Sequence, residues 1–385
     1  MSLPLNATKE LLARLVAFDT TSSKTNIPLI RFVQDYLAGH GVESALVPTP
    51  DGEKASLFAT IGPAGVPGVG LSGHTDVVPV TGQAWTSDPF TLTERAGKLY
   101  GRGSCDMKGY LAAVLAMVPA FKALPLKVPL HIIFSYDEEV GCTGVRPLVA
   151  ELGRSLVRPR IVMVGEPTTM TVVDAHKGPM RWSVDVTGKA AHSSLPHLGV
   201  NAISYAARLI AELLVIEAEL KTLSPQPRFD PPYNTLQVTE IEGGTASNII
   251  PVPCWFGWEM RRLPGFDVSV VDARVRALAA KLTGEMQAAA PETGITISIT
   301  NDVPAFLADA SAEALPLALQ LAGQNETFAV SYATEAGLFQ AAGAPSFVCG
   351  PGHIDQAHKP DEFIAIAELE KCLAFLARLG AWAAA

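Results

Sequence analysis

The chain has little cysteine to build with: five residues in 385, widely separated and without a Cys-x-x-Cys pair. An odd, scattered set argues against a disulfide framework and against a thiolate zinc site. Basic charge is short as well, with 29 Lys and Arg against 38 Asp and Glu and a formal net charge of -9. No basic stripe is there to neutralise phosphates, so nucleic acid is not an expected partner. The longest apolar run, residues 109–121, is too short to cross a bilayer. Lys9, Glu10 and Arg14 interrupt the N-terminal apolar residues, so no secretory segment is expected and the protein reads as cytoplasmic. Internal repeats, low-complexity runs and a phosphate-cradling glycine loop followed by Lys and Ser/Thr are also missing. The last absence weakens a metallophosphatase reading.

What is present is a chain long enough for two domains, 48% apolar, with the composition of a loop-rich globular enzyme. Leu11, Leu12, Leu15 and Val16, then Ile30, Val33 and Leu37, recur at helical spacing. β-rich runs follow at 56–61 and 69–72, then a helix from Asp106 to near Lys122, a strand at 130–135, a helix at 145–152 and a strand at 160–164. Alternating strands and helices predict an α/β domain with a mostly parallel central sheet flanked by helices. From 179 to 300 the order becomes strand, helix, strand, strand, helix, strand, the ferredoxin-like unit. The expected organisation is a discontinuous domain of residues 1–178 and 301–385 with an α+β domain, 179–300, inserted into it.

Acids and histidines cluster just after the predicted strands, at the edge where open α/β sheets gather their sites. They are Ser-Gly-His74-Thr-Asp76, Gly-Arg-Gly-Ser-Cys-Asp106-Met-Lys-Gly, Asp137-Glu138-Glu139, Gly-Glu166-Pro-Thr and Gln-Ala-His358-Lys-Pro. His74 and Asp76 share a strand face, which suits a ligating imidazole whose other nitrogen is oriented by a carboxylate. Each motif alone has a plainer reading. His74 and His358 serve equally as surface or loop histidines, Asp106 as the N-cap of the next helix, and residues 137–139 as a solvated acidic loop. Glu166 follows an apolar strand so closely that it needs a partner, and a cation is a good one. Cys105 has no base assigned to it and reads as a packing residue rather than a nucleophile.

In this order and these contexts the motifs resemble the dinuclear zinc amidohydrolases of the peptidase M20 family, along essentially the whole chain. The resemblance implies two Zn²⁺ per subunit, with Co²⁺ or Mn²⁺ as possible substitutes. One ion would take His74 and Glu166, the other Glu139 and His358, with Asp106 bridging. Asp76 would orient His74 and Glu138 would be the general base. In the inserted domain, Gly-Lys-Ala-Ala-His192-Ser-Ser matches the segment that brings a histidine to the active site from a neighbouring subunit, where it would stabilise the oxyanion. Asn248 in Gly-Gly-Thr-Ala-Ser-Asn248 and Arg261 in Met-Arg261-Arg262 match the family's substrate-holding positions, and a guanidinium suits an α-carboxylate. A homodimer formed through the inserted lid domain is implied. His197 has no such match and reads as structural.

Within the family the C-terminal motifs, Tyr332-Ala-Thr334-Glu335-Ala, Gly-Pro-Gly and Gln-Ala-His358-Lys-Pro-Asp-Glu-Phe363, resemble the acetylornithine deacetylase branch. That implies hydrolysis of N2-acetyl-L-ornithine to ornithine and acetate, a step of arginine biosynthesis. Glu335 would attract the ornithine ammonium and Thr334 would help position it. The alternatives are another M20 deacylase or peptidase acting on succinyl-diaminopimelate, acylated amino acids or peptides, and a non-catalytic amino-acid-binding protein on the same fold. Glu138 and every ligand type are in place, which speaks against the last.

Overall fold

The computed structural model describes residues 3–385, which fall into two compact units. The first comprises the chain up to Ala175, Phe306–Phe328 and Thr334–Ala385; the second comprises His176–Ala305 and Ala329–Ala333. The units change over at 175/176 and 305/306, and 329–333 return to the second unit.

The first unit is built on a nine-stranded sheet. Along it lie Ser44–Pro48, Ala55–Ile61, Leu130–Ser135, Val69–His74, Ile161–Val164, Ser346–Val348, Val173–His176 and Phe306–Leu307, and Phe328–Val330 also pairs with Val173–His176. The four central strands, from Leu130–Ser135 to Ser346–Val348, run parallel, and the strands pairing outside them at 55–61 and 173–176 are antiparallel. Every residue of Val69–His74, Leu130–Ser135 and Ile161–Val164 is buried. Strands covered on both faces need continuous apolar runs rather than alternation, which is what these sequences provide. The helix Gly109–Lys122 is apolar nearly all round and correspondingly buried, with Leu5–Val16, Ile27–Gly39 and Ile366–Ala384 packed into the same core.

Parallel strands end together, and here the shared carboxyl edge carries His74, the acidic run after Ser135, and Glu166 two residues past Val164. The helix Gly109–Lys122 brings the Asp106 loop to that edge. Its approach is close: a Cβ on Gly165 would lie 2.2 Å from the Tyr110 ring, so only glycine fits before Glu166.

The second unit is a four-stranded antiparallel sheet in the order Thr235–Gly243, Pro253–Arg262, Gly178–Thr187, Gly294–Asp302. The helices Ala202–Leu220 and Ser269–Ala289 cover one face through Leu209, Leu213, Ile216, Val275 and Leu282. Stacked Trp182 and Trp258, with centroids 3.8 Å apart, sit in the core between them and the sheet. The strand-helix order and sheet order are those of the ferredoxin-like unit.

Candidate metal centre

At the carboxyl edge of the first unit, Asp106 is the hinge of the cluster. Its Oδ1 lies 3.1 Å from His74 Nε2 and its Oδ2 lies 3.4 Å from His358 Nε2. Each oxygen thus faces a different histidine, 252 residues of chain notwithstanding. His74 Nε2 is also 3.7 Å from Glu166, and His358 Nε2 is 2.9 Å from Glu139. Two ligand groups therefore share one carboxylate. Metal-compatible clusters of atoms within 4.8 Å of one another include His74, Asp106 and Glu139, and also His74, Glu138 and Glu166.

The loop geometry explains how Asp106 gets there. Gly103 adopts a left-handed φ of 77°, and Asp106 itself leaves helical dihedrals at φ -121° and ψ 93°. The helix that follows is capped at Lys108, not Asp106, so the N-cap reading of Asp106 does not hold. Cys105, next to it, is buried, and burial raises its thiol pKa far above normal, so it is not a thiolate nucleophile.

Asp76 does more than orient one imidazole. His74 Nδ1 contacts the Asp76 backbone oxygen at 2.9 Å, with the carboxylate further off at 3.5 Å. The carboxylate instead accepts from Ser22 Oγ at 2.7 Å and from the backbone N–H groups of Glu138 and Glu139 at 3.1 and 3.3 Å. Asp76 thereby ties the strand end carrying His74 to the loop carrying Glu138 and Glu139. Asp137, just before, is tied away by Lys54 at 2.5 Å.

The buried acids of this cluster crowd one another, and their carboxyls shift accordingly. Burial, joined by Asp106, raises the Glu166 and Glu139 carboxyls, and burial together with Glu139 and Glu335 raises Glu138. For His74, burial opposes the charge, but hydrogen bonding to Asp106 and Asp76 outweighs it and the pKa rises. Hydrogen bonds donated to Asp106 and Glu139 raise His358 to about 10. Oxygen and imidazole donors without thiolate, crowded at a sheet edge and short of countercharge, fit divalent metal ions.

The remaining predicted positions divide. Glu335 is 1% exposed, accepts from Ser135 Oγ at 2.6 Å and Ser72 Oγ at 3.4 Å, and has its pKa raised by burial to about 7. It faces the interior beneath the strand ends, so its expected role as an external partner for a substrate ammonium is not supported by its placement. Thr334 is fully buried, and its hydroxyl accepts from the Ala336 N–H at 3.1 Å at the start of the helix Ala336–Ala341. In the second unit His192 and Asn248 are exposed neighbours: His192 bridges to Ile249, and the Ser193 N–H donates to the Asn248 carbonyl at 2.9 Å. His197 is exposed in the same segment. Arg261 lies towards the opposite end of Pro253–Arg262, with Nε donating to Glu259 at 2.8 Å. It is eight residue steps along the strand from Pro253, roughly 26 Å at the usual rise. Arg262 points the other way, buried and bonded to Asp302 and to the Val303 carbonyl.

Glu362 is a functional neighbour that motif reading passed over. Buried at 1% exposure, it accepts from the N–H groups of Gly103, Cys105 and Asp106 at 2.9–3.1 Å. Its signal was present only as the acid of Lys-Pro-Asp-Glu, four residues after His358.

Comparison with known proteins agrees with this geometry. A model of peptidase family M20/M25/M40 matches residues 70–381. An acetylornithine deacetylase from Myxococcus xanthus is 37% identical over 391 residues, covering 98% of each chain. Another from Proteus mirabilis is 35% identical over 355 residues, covering 92% of this chain and 89% of that one. In fold, the chain is similar to aminopeptidase PepT from Bacillus cereus, with a TM-score of 0.77, 19% identity and full coverage of both chains.

Proposed function

The chain belongs to peptidase family M20/M25/M40 and is a metal-dependent amidohydrolase, and we propose that it hydrolyses N2-acetyl-L-ornithine to ornithine and acetate. The chemistry is carried by one observation: Asp106 turns one oxygen to His74 and the other to His358, with Glu138 beside them. The choice of substrate rests on relatives called acetylornithine deacetylase that match this chain over 92% or more of its length.

Two zinc ions held by His74 and Glu166, by Glu139 and His358, and by Asp106 between them would polarise the amide carbonyl and acidify a water molecule. Glu138 would take a proton from water as it attacks the amide carbon and return it to the departing amine. Asp76 keeps Glu138 and His74 in register through the hydrogen bonds described above. Co²⁺ or Mn²⁺ would suit the same donors.

Arg261 is the candidate for the substrate α-carboxylate, while His192 with Asn248 would stabilise the oxyanion and hold the acyl group. The long strand between these positions places them too far apart to grip one small substrate within a single copy of the second unit. That separation supports a homodimer in which His192 and Asn248 serve the partner's site. Thr235–Gly243 is a sheet-edge strand that exposes Ile241, and Ile203 and Ile249 are exposed as well, as a self-associating face requires. No helix among the described residues is long and apolar enough to cross a membrane, and we place the reaction in the cytoplasm, in arginine biosynthesis.

The interior placement of Glu335 favours a second reading, an M20 deacylase whose substrate carries no side-chain ammonium. Turnover of N2-acetylornithine, N-acetylmethionine, N-succinyl-diaminopimelate and dipeptides by the zinc-loaded protein decides. Acetylornithine should lead in kcat/KM; acetylmethionine ahead by orders of magnitude would establish the second reading.

A further inference from the structure

Glu362 places four hydrogen-bond donors around one buried carboxylate. Oε1 receives the Cys105 and Asp106 N–H groups at 2.9 and 3.1 Å; Oε2 receives the Gly103 N–H at 3.0 Å and Arg102 Nη1 at 2.6 Å. Arg102, itself 1% exposed, extends the connection: its Nη2 donates to Gln83 Oε1 at 2.5 Å. Gln83 in turn donates from Nε2 to the backbone carbonyl of His358 at 3.0 Å. The chain closes on itself, because His358 and Glu362 are four residues apart.

The two ends of this network are the Asp106 loop and the His358 backbone. Asp106 sits on a glycine-rich loop, and the His358 side chain is 53% exposed on a backbone of left-handed φ, 65°. Neither has the support that His74 and Glu166 draw from the central strands. A buried ion pair is a poor source of stability, since apolar residues of similar volume often serve as well or better. Holding a geometry is a better account of why the Arg102–Glu362 pair is there.

We propose that Glu362, Arg102 and Gln83 are positioning residues that lock Asp106 and His358 together, so that the site made by Glu139, His358 and Asp106 is organised as a unit. The inference rests on the two-metal reading above. Outer partners of metal ligands typically change affinity by about 10–100-fold when replaced. The second site should feel this, while the first, carried by strand ends, should feel it little.

The test is titration of metal-free protein with Co²⁺, following d–d absorption and calorimetric stoichiometry, with circular dichroism as the check on folding. Wild type should bind two equivalents. Glu362→Gln should bind the first nearly as wild type does and the second at least about 10-fold more weakly, with an altered second-site spectrum. Second-equivalent affinity and spectrum equal to wild type in folded Glu362→Gln would overturn the lock. If that variant does not fold, Gln83→Ala, a half-buried loop change, decides: a weakened second equivalent supports the lock and wild-type binding overturns it. A wild type that takes up fewer than two equivalents would sink the two-metal reading itself, and the lock with it.

Discussion

Glu138 shares its loop with a metal-ligand candidate, and the Asp76 carboxylate accepts from the backbone N–H groups of both. Replacing Glu138 with Gln should lower kcat by about 10²–10⁴-fold, the usual worth of a placed general base, and leave bound metal unchanged by elemental analysis. Asp76→Asn should instead lower metal affinity, because it loosens His74 and Glu139 together. Protonation makes a further prediction. Glu335 is raised from 4.5 to about 7 and His358 from 6.5 to about 10 in the metal-free fold. The folded state then binds more protons than the unfolded one, so this contribution to stability is full below the unfolded pKa values and is lost as pH rises through the folded ones. The Tm of metal-free protein should fall between pH 5 and pH 8, and the increase given by added zinc should widen over the same range. A metal-free Tm that rises across that interval would contradict the protonation scheme. The family resemblance carried by the motif order named His74, Asp106, Glu139, Glu166 and His358 together, and the fold brings these side chains within contact of one another. Glu362 was not legible, because three of its four partners are backbone N–H groups 256 to 259 residues away, and a backbone donor leaves no trace in side-chain identity. Glu335 misled for the opposite reason: an acid in a recognisable motif says nothing of whether it faces water or Ser135.

Strands and helices in this chain were readable where they were long or uniformly buried. The runs at 130–135 and 161–164, the helix at 109–122 and the six elements of the second unit follow from apolar continuity and helical spacing. Three-residue strands such as Ser346–Val348 and Phe363–Ala365 are too short to express a period, and the first of them completes the parallel centre of the sheet. Close packing between elements was equally hidden. Gly165 looks like a loop residue, yet the Tyr110 ring occupies the space of its missing side chain. Gly165→Ala should therefore cost about 1–3 kcal/mol in chemical denaturation, as overpacking does, and should weaken metal binding by displacing Glu166. Unchanged stability would mean that the helix and the strand end are less tightly fitted than described.

At the scale of the whole molecule, catalysis depends on whether two copies share their sites. Mixed dimers of His192→Ala and Glu138→Gln subunits, each inactive alone, should recover part of the wild-type rate, since one of the two sites would combine intact groups. No recovery in dimers shown to be mixed would confine each site to one chain. The central claim is simpler: five ligands from distant parts of the chain hold two metal ions that hydrolyse an acylated amino acid. Its most direct test is to strip the protein with a chelator, titrate zinc back with stoichiometry read by calorimetry, and follow N2-acetylornithine hydrolysis in the same samples. The stripped protein should show no turnover, bind two equivalents on return and recover turnover, and Asp106→Asn should lose tight binding. Hydrolysis that persists without metal, or an Asp106→Asn variant that binds both equivalents as tightly as wild type, would contradict it.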